Sequence, residues 1–227
     1  MIGIVIPAHN EVDALPDCLT ALNHAIDLYQ QQCRGMPQPV QTIVVLDCCT
    51  DESERLIQHY QDSCPALQFI CCDFHCVGRT RDLGIRYLIQ QGAQWIANTD
   101  ADSQVHPNWL LEQIRHQPCD MICGVVEVED WGGLSLPAQQ LYRQHYQDKM
   151  GHQHIHGANL SFSAQLYQRL GGFAAMHCHE DVNLVQRCAA EGGQIVWSNR
   201  VRVRTSSRLQ GKAPEGFACF LSQLECK

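Results

Sequence analysis

The chain has 227 residues, 45% hydrophobic and 18% charged, with a formal net charge of −8. That is enough chain to bury a proper core, and the acidic balance excludes a nucleic-acid binder working by bulk electrostatics. No apolar run reaches the length of a membrane span. Met1 to Ala8 is too short for a signal peptide and lacks its basic leader, so the expected compartment is the cytoplasm.

Residues 3–7 read as a short buried strand stopped by Pro7, and Ala8, His9, Asn10 and Glu11 form a polar turn. Apolar residues at Leu15, Cys18, Leu19, Leu22, Ala25, Ile26 and Tyr29 keep a helical period. A second buried strand spans 42–46 and ends at Asp47; Thr50 or Asp51 can cap the helix that carries Leu56, Ile57 and Tyr60. A third strand is expected over 67–71 and a third helix from Gly78 to about Gln91. Trp95, Ile96 and Ala97 then begin a fourth buried strand that runs into Asp100-Ala101-Asp102.

Paired carboxylates cannot be carried inside a core strand, because unpaired buried charge is too costly. They belong where the chain leaves the sheet, at the edge where open α/β sheets bind ligands. Oxygen-only ligands with room for water and phosphate suit Mg²⁺ or Mn²⁺; the alternative is a turn that caps the next helix. The first, second and fourth strands end at Pro7, Asp47 and Asp100, so three polar motifs converge on one edge. The alternation of strand and helix predicts an α/β fold with a mainly parallel sheet flanked by helices.

Further on, a helix after Pro107 leads to a strand over 121–126, whose alternating continuation through Glu127, Val128 and Glu129 reads as a half-exposed edge. A polar helix is expected from Leu136 to Lys149. His152, His154 and His156 alternate, which invites a metal reading, but a flexible, partly disordered loop is the simpler expectation, with His156 placed for an acceptor contact. Residues 159–163 run into a short helix ending at Gly171-Gly172. His179, Glu180 and Asp181 begin another helix, with acids where its dipole favours them. Two late strands are expected at 195–197 and 201–203. Arg200, Arg202, Arg204, Arg208 and Lys212 concentrate five of the 16 basic residues in one segment, either a solvated edge or a lid over an anionic ligand. Spacing among the 14 cysteines includes no CxxC pair, so they are expected as reduced thiols and not as a zinc ribbon.

In this order the motifs resemble the family 2 glycosyltransferases of GT-A fold. Residues 6–11 are similar to that family's opening motif, residues 45–51 to its nucleotide-facing motif, and Gly78 to Gly84 to its Gly-x-x-x-Ala-Arg-Asn-x-Gly helix start. Asp100-Ala101-Asp102 matches its metal motif; Gly157-Ala158-Asn159, Gly171-Gly172-Phe173 and Glu180-Asp181 match its acceptor-side signatures. The chain departs from the pattern where Cys48-Cys49 replaces Gly-Ser and Thr80-Arg81-Asp82 replaces Ala-Arg-Asn. The resemblance implies one Rossmann-like domain over 1–227: a nucleotide-binding half over about 1–104, an acceptor half over about 105–200, and a basic tail over about 200–227.

It also implies a metal-dependent enzyme that moves a sugar from a nucleotide-diphosphate sugar, a UDP-sugar favoured, to an acceptor hydroxyl with inversion. Asp102 would ligate Mn²⁺ or Mg²⁺, with Asp100 on the ribose or a metal-bound water. Pro7, Ala8, Asn10, Glu11, Asp47, Gly78 and Arg81 would contact the nucleotide. Asp181, with Glu180 as rival, would be the base. His156, Gly157, Asn159 and Arg208 are candidates for acceptor or phosphate contacts. Arg81 has a second reading as a solvent-facing helix residue, and Asn10 and Glu11 as helix caps. The competing functions are a non-catalytic nucleotide-binding scaffold of the same fold and a sugar nucleotidyltransferase; the latter wants a Gly-rich phosphate loop, which residues 7–11 do not form.

Overall fold

The computed structural model describes residues 1–205 apart from 34, 129, 130, 132, 133 and 177. In chain order the elements are β1 (Ile2–Ala8), α1 (Leu15–Gln32), β2 (Val40–Asp47), α2 (Ser53–Ser63), β3 (Leu67–Cys72), α3 (Val77–Gln90), β4 (Trp95–Asn98) and β5 (Ser103–Val105). The second half continues with α4 (Trp109–Arg115), β6 (Met121–Val128), α5 (Leu136–His145), a 3₁₀ turn (Gly157–Asn159), β7 (Leu160–Ser163), α6 (Ala164–Arg169), α7 (Glu180–Ala190) and β8 (Ile195–Thr205).

Successive side chains of a strand point to opposite faces, so a strand buried along its whole length serves two cores. β1 does this: Ile2, Ile4 and Ile6 pack with α1, α2 and α4, while Val5 faces α3, α6 and α7. The sheet is therefore sandwiched between helical layers. α3 lies unusually close to it at Gly84, where an added Cβ would meet Val45 at 2.8 Å and Val5 at 3.0 Å.

The strand order is β3-β2-β1-β4-β7-β6-β8-β5. β3, β2, β1 and β4 are mutually parallel, which puts all four C-terminal ends on one edge. β7 is antiparallel to both β4 and β6, so β6 runs with β4 and delivers its C-terminal end to the same edge. Among the described residues no helix is long and apolar enough to cross a membrane.

Five differences from the sequence reading appear. β6 is not a sheet edge: β8 pairs in parallel along it and sets Arg204 opposite Glu127. The two late strands are one, interrupted where the register jumps from Gly124–Ser198 to Val125–Arg202. Residues just past the acidic pair form a further strand, β5, which closes on β8. The histidine loop is packed and ordered, with the His154 ring stacked on Tyr146 at 4.0 Å and His152 fully buried. α5 also stops at His145, short of Lys149.

Candidate active site

The turn after β1 and the turn after β2 are laced together. Asn10 takes a left-handed φ of 51°, a conformation that asparagine tolerates. Its Oδ1 accepts from the Thr50 amide at 2.7 Å and the Asp51 amide at 3.3 Å. Asp51 in turn accepts from the Val12 and Ser53 amides, and the Glu11 amide donates to Ser53 Oγ at 3.1 Å. These bonds hold the ends of β1 and β2 in one frame, with Pro7 and Ala8 buried beneath it.

Asp47 is an anchor of that frame. It is 5% exposed, and its carboxylate accepts from the amides of Phe74 (2.7 Å), His75 (3.1 Å) and Cys76 (3.1 Å) and from Thr80 Oγ1 (2.8 Å). Burial works to raise its pKa, but these donors outweigh it and hold the carboxyl at about 2. An acid at a strand end does need a partner, and here the protein supplies donors: Asp47 pins the loop between β3 and α3.

Arg81 joins the two halves of the molecule. It is 4% exposed, Nη2 donates to Asp100 Oδ1 at 2.6 Å, and Nη1 pairs with Glu180. A solvent-facing position does not fit this burial. Glycines make room for the cluster: a Cβ on Gly157 would overlap the Arg81 guanidinium, and one on Gly78 would press on Glu180 at 3.1 Å. Burial raises the Glu180 carboxyl above the ordinary range, with Arg81 opposing it. Asp181 is less enclosed than Glu180, and its Oδ1 accepts from the Val182 amide. Asp181 adds its negative charge to the surroundings of Arg81.

Asp100 keeps 32% of its side chain exposed while bound to Arg81. Asp102 is half-buried, 3.5 Å from Ser103 Oγ. Beneath them the Cys18 thiol is pushed up by burial and then by the charges of Asp102, Asp100 and Glu11. Carboxylates such as Asp100 and Asp102 are hard oxygen donors of the kind that suit a divalent cation like Mg²⁺ or Mn²⁺.

Asn159 is held inside the protein. It is 1% exposed, accepts from Trp109 Nε1 at 2.9 Å and donates to the carbonyls of Val125 and Val201, tying β6 to β8. His156 Nε2 lies 3.0 Å from the Tyr146 hydroxyl. Burial, then His154 and His152, lower its pKa to about 3, so it is neutral. Beside it, at the C-terminal end of β6, a cleft of about 370 Å³ is lined by Glu127, Tyr142, Tyr146, Asp148 and Arg202. Arg202 is committed there to Glu127 and Asp148. Arg208 lies outside the described residues.

A family model described as glycosyl transferase family 2 matches residues 3–171. The chain belongs to glycosyl transferase family 2. Solved structures agree on the fold, which is that of GT-A glycosyltransferases. TarS 1-349 from S. aureus in complex with UDP is similar with a TM-score of 0.68 at 12% identity, over 91% of this chain and 60% of that one. The mannosyltransferase PcManGT from Pyrobaculum calidifontis, in complex with GDP-Man and Mn²⁺, gives 0.66 at 15% identity over 93% and 58%. GalNAc-T7 with UDP, GalNAc and Mn²⁺ gives 0.65 at 13% identity over 94% and 46%. The family 2 chain thus spans about 60% of the TarS fragment's length. No curated protein sequence matches it significantly.

Within this family 2 domain, sequence reasoning missed Thr80 as a partner of Asp47, Ser53 as a partner of Glu11, and the Tyr146 ring on which the histidines stack. It also read the cysteines, from their spacing, as reduced thiols and not as a zinc ribbon. Cys48, Asp73 and His75 nevertheless meet, because spacing along two loops says nothing about spacing between them.

Proposed function

We propose that the protein is a metal-dependent glycosyltransferase that moves a sugar from a nucleotide-diphosphate sugar, a UDP-sugar in the first instance, to an acceptor hydroxyl with inversion. The observation that carries this reading is the ion pair of Arg81 with both Asp100 and Glu180. It brings the acids after β4 and the acids opening α7, 80 residues later in sequence, to one sheet edge. Family membership, together with the GDP-Man and UDP complexes of structurally similar glycosyltransferases, supports the donor class.

Asp102 and Asp100 are the residues that would hold Mn²⁺ or Mg²⁺, which when bound neutralises the charge developing on the diphosphate. The turns after β1 and β2 form the floor for the nucleoside, and Asp47 fixes that floor without touching the ligand. Asp181 serves as the base, since the Glu180 carboxylate is taken by Arg81. The acceptor oxygen forms a bond to the anomeric carbon while its proton passes to Asp181. The bond from that carbon to the diphosphate oxygen breaks, and the nucleoside diphosphate leaves with the electron pair. Attack on the face opposite the leaving group inverts the centre. The cleft beside Tyr142 and Tyr146 is the acceptor side, where aromatic faces and the polar pair of Glu127 and Arg202 suit a hydroxylated ligand.

The test is a thermal-shift panel of UDP, GDP and their sugars, with and without Mn²⁺, on wild type and Asp102→Asn. Ligand at a hundred times its Kd adds about 2.7 kcal/mol to the folded state, which is about 5–10 °C for a domain of this size. A rise that needs Mn²⁺ and disappears in Asp102→Asn supports the reading and names the base. A flat panel from folded protein at high ligand leaves the non-catalytic scaffold as the better account.

A further inference from the structure

On the rim of the same edge, apart from Asp100 and Asp102, side chains from two loops converge. Cys48 follows β2, and Asp73 and His75 lie between β3 and α3. One ligand atom from each lies within 4.8 Å of the other two, and among the described residues these three make the group able to hold an ion in this way. Cys48 Sγ is 2.9 Å from Asp73 Oδ1, and His75 Nε2 is 3.3 Å from the same oxygen. Ligands on a tetrahedral zinc ion stand roughly 3.4–3.6 Å apart, given metal–ligand bonds of about 2.0–2.3 Å, so the side chains need only open slightly around an ion.

The donor set selects the metal. A sulfur, an imidazole nitrogen and a carboxylate oxygen suit Zn²⁺ and its tetrahedral analogues, whereas Mg²⁺ and Mn²⁺ favour all-oxygen surroundings. We propose that Cys48, Asp73 and His75 form a binding site for a thiophilic divalent transition-metal ion of the zinc class, separate from the oxygen site at Asp100 and Asp102.

The two loops are already joined without the ion. The Cys48 amide donates to the Cys72 carbonyl at 2.9 Å, and Asp47 Oδ1 accepts from the Phe74 and His75 amides. These bonds fix the backbones that carry the ligands, as outer hydrogen bonds do in established metal sites. Asp73 and His75 are exposed, so the fourth position is open to water and the ion can exchange. Without metal the Cys48 thiol donates to Asp73 Oδ1. Loading therefore exchanges a proton for the ion: the S–H bond breaks, the sulfur keeps the electron pair and bonds the metal, and one proton is released. Affinity rises with pH accordingly.

The probe is Co²⁺ added to the full chain in a phosphine reductant. Wild type is expected to bind one equivalent with an intense near-ultraviolet thiolate-to-cobalt band, to release one proton, and to lose the band when one equivalent of Zn²⁺ is added. Cys48 has a φ of 53°, which glycine adopts freely, so Cys48→Gly removes the thiol while keeping the turn. This variant should lose the band, His75→Gln should bind at least tenfold more weakly, and Asp102→Asn should behave as wild type. The proposal is overturned when folded Cys48→Gly keeps the band, since another of the 14 cysteines then supplies it. Absence of any thiolate band from wild type at saturating Co²⁺ overturns it equally. Should Cys48→Gly fail to fold, Cys48→Ser gives the same reading.

Discussion

Arg81→Met tests whether the two halves of the site are held by a desolvated ion pair. The side chain of Glu180 is 4% exposed and that of Asp100 is 32% exposed. Removing the arginine lets Asp100 rehydrate, so its share is that of a surface pair, about 0–1 kcal/mol. Glu180 has no such escape, and stranding one member of a buried pair costs about 3–5 kcal/mol. At about 2–4 °C per kcal/mol for a domain of this size, Tm should fall by roughly 6–20 °C.

The pH dependence carries the sharper signature. Burial already holds Glu180 above the ordinary carboxylate range, with Arg81 opposing the rise. A raised folded pKa contributes stability that is present below the unfolded value, about 4.3, and is lost as pH rises through the folded value. Without Arg81 the folded pKa climbs further, so the deficit of the variant should be small near pH 4 and widen toward neutrality. Thermal unfolding of wild type, Arg81→Met, Glu180→Gln and the double variant from pH 4 to 8 reads both effects. The double variant should lose much less than the sum of the singles. A Tm within 2 °C of wild type, with a parallel pH profile, would refute the buried-pair account.

Asp47→Asn exchanges a charged acceptor for an amide that turns a donor toward donors, so about 2–3 kcal/mol should be lost in chemical unfolding. Because the Asp47 carboxyl is held at about 2, its contribution is present above about pH 4 and lost as pH falls toward 2; acid unfolding of the Asn variant should lack that component. Gly157→Ala places a methyl against the Arg81 guanidinium and should cost about 1–3 kcal/mol, visible as a lower Tm. Asp181→Asn should lower kcat by about 10²–10⁴-fold with little change in Tm, whereas Glu180→Gln should lower Tm as well, because Arg81 loses a partner. Equal behaviour of these two variants in both assays would remove the distinction between base and anchor.

Much of this molecule follows from local pattern. Apolar runs bounded by Pro7, Asp47 and Asp100 announce buried strands that end at one edge, because side-chain period and the cost of buried charge act within a few residues. The helical periods of α1 and α3 are equally local, and so is the placing of the paired acids after β4. What residue type and spacing cannot state is which partner wins. An acid at the end of β2 needs donors, but only the returning β3–α3 loop brings it the amides of residues 74–76. Arg81 and Glu180 are 99 positions apart, and β8 covers β6 only once the chain has closed on itself. Local pattern sets the strands, their common edge and the kinds of side chain brought there. Which of those side chains pair with one another is settled only when the chain closes on itself, because burial and pairing depend on elements far apart in the chain.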